Sequence, residues 1–240
     1  MGFEFKRFRI EDDQCAQKVC TDSILLASWA DIRVGQRVLD IGMGCGILSI
    51  MLAQRCEGQL WVDGVELDVD ACQQGRANVA NCPWPESIRC VNADFNDFTS
   101  DGFYDVIITN PPYFNQALKG PDAARNRARH NDGLSYSQLL AGVKRHLHPM
   151  GLFYLVLPVD GAEQVQRIAP QFDLSLSKRV WVRTVARKAP KLMLMAFCHQ
   201  LSDSNKNGQA IIDGQLCIHD DNGQYSSQFI ALTQKFYLNR

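Results

Sequence analysis

Apolar runs long enough to cross a membrane are missing from these 240 residues, which excludes a helical membrane-spanning protein. The first residues, Met-Gly-Phe-Glu-Phe-Lys-Arg-Phe-Arg, lack the apolar stretch of a secretory signal. Lys6 stands where an N-myristoylation sequence wants Ser or Thr. A cytoplasmic location is therefore expected. An excess of charge is missing too: 25 Lys and Arg face 26 Asp and Glu, a formal net charge of −1. Attraction to a polyanion must then come from local patches. The nine cysteines include no Cys-x-x-Cys pair, Cys15 and Cys20 lack a second pair of ligands, and the five histidines show no metal spacing. Neither a metal nor a disulfide framework is expected, and the thiols read as small hydrophobes of a reduced compartment. Internal repeats, low-complexity tracts and linkers are absent as well. One domain is expected over 1–240, with a cap segment at 1–36, a catalytic core at 37–200 and a C-terminal hairpin and helix at 201–240.

What is present from residue 37 onward is an alternation of short apolar runs and amphipathic stretches. Strands are expected at 37–41, 60–66, 88–92, 104–109 and 152–158, and helices at 47–54, 70–79 and 136–147. Two further strands, 180–185 and 192–199, are joined by a basic connection at 187–190, and a turn-rich stretch at 200–224 suggests a hairpin about Asp213-Gly214. An amphipathic helix is expected at 226–238. Continuous apolar strands such as Asp105-Val106-Ile107-Ile108 belong in sheets buried on both faces. The fold class that follows is α/β, with a mostly parallel seven-stranded sheet covered by helices on both faces.

The first strand ends in Val38-Leu39-Asp40-Ile41-Gly42-Met43-Gly44-Cys45-Gly46. Glycines at the carboxyl end of a parallel strand allow a sharp turn and close approach of a ligand to the backbone. The spacing Gly-x-Gly-x-Gly, with Ile47 following, departs from the Gly-x-Gly-x-x-Gly of dinucleotide binders. Glu66 ends the second strand, where a carboxylate can accept from both hydroxyls of a ribose. Asp94 follows the third strand and can accept from an adenine amino group, with Phe95 able to pack on the same base. This portion resembles the class I S-adenosylmethionine-dependent methyltransferases, which are Rossmann-like. The resemblance implies that Asp40 with Gly42, Gly44 and Gly46 hold the methionine end of S-adenosylmethionine, Glu66 the ribose and Asp94 the adenine.

After the fourth strand comes Asn110-Pro111-Pro112-Tyr113. An aromatic amine is a poor nucleophile because its lone pair is delocalised into the ring. Two acceptors, the Asn110 side-chain oxygen and the Pro111 carbonyl, can bind its two N–H groups and favour the tetrahedral geometry that frees the lone pair. The Pro111-Pro112 step stiffens the loop, and Tyr113 offers a face for a flipped base, stacking being worth about 1–3 kcal/mol. The tetrapeptide contains no cysteine nucleophile, which disfavours methylation of ring carbon.

Such a clamp suits adenine N6 in DNA or RNA and the amide of a protein glutamine. Too few residues precede the glycine loop for the helical domain of a glutamine enzyme, and no room remains for a DNA target-recognition domain. Basic patches at Lys6, Arg7 and Arg9, at Arg125, Arg127, Arg129 and His130, and at Lys178, Arg179, Arg183, Arg187, Lys188 and Lys191 favour RNA. Over nearly its full length the chain resembles the bacterial valine-tRNA adenine-N6 methyltransferases. The resemblance rests on Phe3-Glu4-Phe5-Lys6-Arg7-Phe8, Lys18-Val19-Cys20-Thr21-Asp22-Ser23, Asn110-Pro111-Pro112-Tyr113-Phe114, Ala128-Arg129-His130 and the closing 229–238. It implies transfer to adenine 37 beside the anticodon of valine tRNA, with Thr21 and Asp22 near the methionine end of the cofactor; the chain is expected to act as a monomer. Met43 and Cys45 replace threonines frequent between these glycines, and Ser23 a frequent glycine. The readings left beside this one are a ribosomal-RNA or protein-glutamine N-methyltransferase, a nicotinamide dehydrogenase and a catalytically silent RNA-binding module.

Overall fold

A computed structural model describes residues 2–112, 134–200 and 211–238. Its centre is an eight-stranded sheet built from β3 (Arg37–Ile41), β4 (Trp61–Glu66), β5 (Ile88–Asn92), β6 (Tyr104–Thr109), β7 (Leu147–Pro158), β8 (Leu174–Arg183), β9 (Leu192–His199) and β10 (Ile212–Cys217). The spatial order is β10-β8-β9-β7-β6-β3-β4-β5. β9 runs antiparallel to both its neighbours, β7 and β8, and every other pairing in the sheet is parallel. A two-stranded antiparallel ribbon, β1 (Phe3–Glu4) and β2 (Arg9–Ile10), precedes it.

Six helices are described: α1 (Thr21–Trp29), α2 (Ile47–Arg55), α3 (Val69–Ala80), α4 (Tyr136–His146), α5 (Val159–Ile168) and α6 (Ser227–Thr233). They divide the core into two clusters, one on each face of the sheet. Along β7 the side chains alternate: Tyr154 and Val156 enter the cluster that holds Phe5, Leu25, Leu48 and Phe229, while Phe153, Leu155 and Leu157 enter that of Leu139, Leu140, Val143 and Val165. A strand buried on both sides must be apolar at successive positions, which is why its run reads as continuous.

From β3 to β6, and for α2, α3 and α4, the elements lie within a residue or two of their expected places. The C-terminal third differs. The sheet has eight strands, not seven, because 212–217 does not turn at Asp213-Gly214. It runs straight as β10, parallel to β8, with Asp213 opposite Arg179 and their side chains paired at 2.6 Å. Edge pairing and that ion pair override the turn propensity of an Asp-Gly step. The only antiparallel closure described nearby is an isolated bridge between His219 and Tyr225. α5 was not foreseen; Pro158 stands immediately before it, Asp160 lies in its first turn, and Ala162 and Val165 are its buried residues. β7 begins at Leu147, directly after α4, so Pro149 and Gly151 lie within the strand rather than before it. A register irregularity against β6, between Tyr104 and Val106, accompanies them.

Chain order places the site. From β3 the chain moves outward to β4 and β5, then returns to the other side of β3 as β6. Such a reversal leaves a crevice at the carboxyl ends of β3 and β6 where connections diverge to opposite sides. The glycine loop leaves one of these strands and Asn110 the other.

Candidate functional site

Thr109, the last residue of β6, donates its hydroxyl to the carbonyl of Ile41, the last residue of β3, at 2.7 Å. This buried bond ties the starting points of the two loops across the crevice. The glycine loop is then folded back by its own amides: Gly42 and Met43 donate to the carbonyl of Val65 at 2.8 and 3.1 Å, and Gly44 donates to Glu66 Oε2 at 2.8 Å. Gly42, Gly44 and Gly46 have φ of +71°, +51° and +84°, values that a side chain would strain. A Cβ added at Gly42 or Gly44 would meet nothing within 4 Å, so both glycines front open space.

The residues between them point the other way. Met43 and Cys45 are buried. Met43 lies against two glycines of neighbouring elements: a Cβ on Gly64 would come within 2.5 Å of Met43 Sδ, and one on Gly75 within 3.0 Å of Met43 Cε. The large side chain that departs from the familiar threonine is thus accommodated behind the loop and not on its open side. Gly64 and Gly75, which no local pattern marks, are its counterparts.

Three carboxylates line the same edge. Asp40 is fully buried; its Oδ2 accepts from the Ser49 amide at 3.2 Å and the Ser49 hydroxyl at 2.7 Å, which caps the first turn of α2. Its Oδ1 has no partner among the described residues. Burial pushes the Asp40 carboxyl up to about 7; the Ser49 bonds oppose this and the negative Glu66 adds to it. Glu66 is held in place from two sides, by Gly44 and by the Asp68 amide on Oε1 at 2.9 Å. Asp68, the competing acid, is committed to capping α3 through the Ala71 amide. Asp94 closes a local turn, with Oδ1 accepting from the Asn96 amide and side chain at 2.8 and 2.9 Å. Phe95 is buried in the core against Gly142 and the His146 ring, so the structure shows it as a packing residue rather than an open platform.

At the clamp, Asn110 is only 7% exposed. Its Nδ2 donates to Ser23 Oγ at 2.9 Å and to Cys20 Sγ at 3.5 Å, both at the start of α1. Its Oδ1 is buried without a partner among the described residues. Thr21 and Asp22 sit between these two contacts, in the first turn of α1. Pro111 is buried and Pro112 exposed. Tyr113 lies outside the described residues, as do Arg125, Arg127, Arg129 and His130. Sequence reasoning did not single out Thr109, Ser49, Gly64 or Gly75; an apolar strand ending in threonine was the only local hint of the first.

The basic patches separate on inspection. Arg7 is paired with Glu57 and lies over the Trp84 ring, Arg9 is paired with Glu11, and Lys6 donates to the carbonyl of Gln234. Arg179 is paired with Asp213. Arg187, Lys188 and Lys191 are exposed and form no described ion pair; their connection joins β8 to β9 at the sheet edge that carries the crevice.

The residues fit S-adenosylmethionine: an open glycine cradle, an orphaned buried carboxylate oxygen and two further carboxylates in order along one edge. Residues 14–160 match the family model of the methyltransferase small domain. The chain is 41% identical over 99% of its length to the tRNA1(Val) (adenine(37)-N6)-methyltransferase of Phocaeicola vulgatus, covering 97% of that protein. It is 43% identical to the enzyme of the same name from Tolumonas auensis, again with 99% and 97% of the two chains covered. The chain belongs to their family. Solved structures agree with this methyltransferase in fold. A predicted O-methyltransferase from Agrobacterium tumefaciens matches with a TM-score of 0.66 at 17% identity, over 92% of this chain and 99% of that one. The glycopeptide N-methyltransferase MtfA in complex with S-adenosylmethionine matches with a TM-score of 0.54 at 15% identity, over 76% and 100%.

Proposed function

We propose that this methyltransferase carries a methyl group from S-adenosylmethionine to N6 of adenine 37 in valine tRNA. The single observation that carries the chemistry is the Asn110 amide at the end of β6, buried, held by its nitrogen and with its oxygen unpaired among the described residues. Its relatives' shared name supplies the tRNA and the position.

Bound S-adenosylmethionine supplies an electrophilic methyl on a sulfonium. Gly42, Gly44 and Gly46 let the backbone approach it, Asp40 and the Thr21-Asp22 turn face its methionine end, and Glu66 and Asp94 accept from its ribose and adenine. Asn110 Oδ1 and the Pro111 carbonyl accept the two N–H groups of the target amine. Pro112 stiffens the loop, and Tyr113 stacks on the flipped base. Phe95 supports Asp94 from the core. Transfer to the amine held by Asn110 and Pro111 would form the N–C bond as the cofactor's C–S bond broke, with the bonding pair left on sulfur, and the methylated nitrogen would release its proton to water. Holding the amine in line supplies most of the acceleration. The chain acts as a single catalytic domain and a monomer in the cytoplasm; no described helix is long and apolar enough to cross a membrane.

Methyl transfer from labelled S-adenosylmethionine to unmodified total tRNA, followed by nucleoside analysis, tests the proposal. N6-methyladenosine confined to a valine tRNA is the expected product. Label appearing instead in ribosomal RNA or in protein would leave the chemistry and overturn the substrate.

A further inference from the structure

An amide side chain has two nearly isosteric orientations, and only one of them serves a clamp. With Oδ1 toward the substrate, Asn110 accepts from an amine N–H. Turned over, it would aim its own N–H groups at those of the amine, donor against donor. The order along the tetrapeptide does not decide between them, because Asn110 is fixed by the first turn of α1, 87 residues earlier in the chain. There, Ser23 Oγ receives Nδ2 at 2.9 Å and Cys20 Sγ receives it at 3.5 Å, with the thiol and the hydroxyl 3.7 Å apart. Ser23 is 6% exposed and Asn110 7%, so water has little access to replace these partners. A hydroxyl can donate as well as accept, so the sense follows from where the Ser23 proton goes: given to Cys20 Sγ, one of the two directions open to that 3.7 Å pair, it leaves Oγ as an acceptor that only Nδ2 can meet, and a buried amide N–H without an acceptor is costly.

We infer that Ser23, seconded by Cys20, is a positioning residue that sets the sense of the Asn110 amide and so makes its oxygen the substrate acceptor. The inference rests on the reading of Asn110 as that acceptor. It also gives α1 a function: the helix carries the hydroxyl to the clamp, and Arg55, donating to the carbonyls of Ala27 and Ala30 at 2.7 and 2.5 Å, fixes the helix's other end.

The test is a double-mutant cycle on the full chain, with kcat for unmodified tRNA and cofactor affinity by calorimetry as readouts. Ser23→Ala should lower kcat about fivefold, the size of one buried hydrogen bond, and leave cofactor affinity within twofold. Ser23→Ala with Cys20→Ala should lower kcat further. In an Asn110→Ala background, Ser23→Ala should change kcat by less than twofold, because no amide remains to orient. An equal loss in both backgrounds, or a loss confined to cofactor affinity, would overturn the inference and make Ser23 a packing residue. A thermal melt separates unfolding from either result, since Ser23→Gly, which removes the same hydroxyl with a different packing change, must reproduce the kcat loss. Failure of the underlying reading looks different: Asn110→Ala would then retain kcat within twofold.

Discussion

The glycine loop and the acceptor clamp sit on adjacent strands, yet they are held in different ways. The loop is fixed by its immediate neighbours: amides of Gly42, Met43 and Gly44 bond to Val65 and Glu66 on the next strand. Loss of one such bond leaves others. The clamp hangs from a single side chain, and the groups that hold it come from Ser23 and Cys20 at the far end of the sequence. Binding a cofactor tolerates distributed support. Orienting one amide does not, because a half-turn of it exchanges acceptor for donor.

The largest expected effect breaks the clamp and spares the loop. Asn110→Ala should lower kcat by about 30- to 1000-fold, on the order of 2–4 kcal/mol, with cofactor affinity unchanged; Glu66→Ala should do the reverse, weakening the cofactor in a calorimetric titration with a smaller effect on kcat. A result in which both variants lose the same parameter would erase the distinction between the two regions.

Asp40 sharpens the comparison through pH. Its folded pKa of about 7 lies above the ordinary value of 3.8, because burial disfavours the anion. The unfolded chain therefore gives up this proton near pH 4 and the folded one near pH 7. The cofactor-free protein should lose stability as pH rises between those values and show no further change above pH 7 from this group. The difference corresponds to on the order of 4 kcal/mol. Urea titrations from pH 4 to 8 should show the slope, and Asp40→Asn should flatten it. Binding of a cationic methionine moiety favours the anion, so cofactor affinity should rise through pH 7.

Packing behind the loop comes next. Gly75→Ala would bring a methyl within 2.7 Å of the Gly44 carbonyl, which is main chain and yields little. A loss of about 1–3 kcal/mol in urea unfolding is expected, together with weaker cofactor binding. Gly64→Ala meets the flexible Met43 side chain instead, and trimming Met43 to Ser in that background should recover part of the loss. The smallest effects concern the basic surface. Lys188→Ala and Arg187→Ala should each reduce the log–log salt slope of tRNA binding by about 0.7–0.9, whereas Arg7→Ala, already paired with Glu57, should leave it unchanged.

Much of this is legible in the sequence. The alternation of apolar strands and amphipathic helices from residue 37 gives the parallel core, since a strand buried on both faces can hardly be written otherwise. The glycine spacing, Glu66, Asp94 and Asn110 fall at strand ends, which is where a parallel sheet gathers its ligands. Beyond β7 the signal weakened: β8 is half-buried over most of its length, and the Asp213-Gly214 step looked like a turn until pairing with Arg179 drew it into an edge strand. Phe95 looked available because a sequence does not show what lies opposite, and here it is Gly142.

The sequence by itself determined the succession of the core strands along the chain, the composition of the loop and the candidate for the acceptor, because each depends on residues close in the chain. Only the tertiary structure decided which way the Asn110 amide faces, where Met43 finds its space and which arginines are already spent on acidic partners. These depend on pairs separated by tens of residues, and for such pairs short-range patterns carry no information about distance.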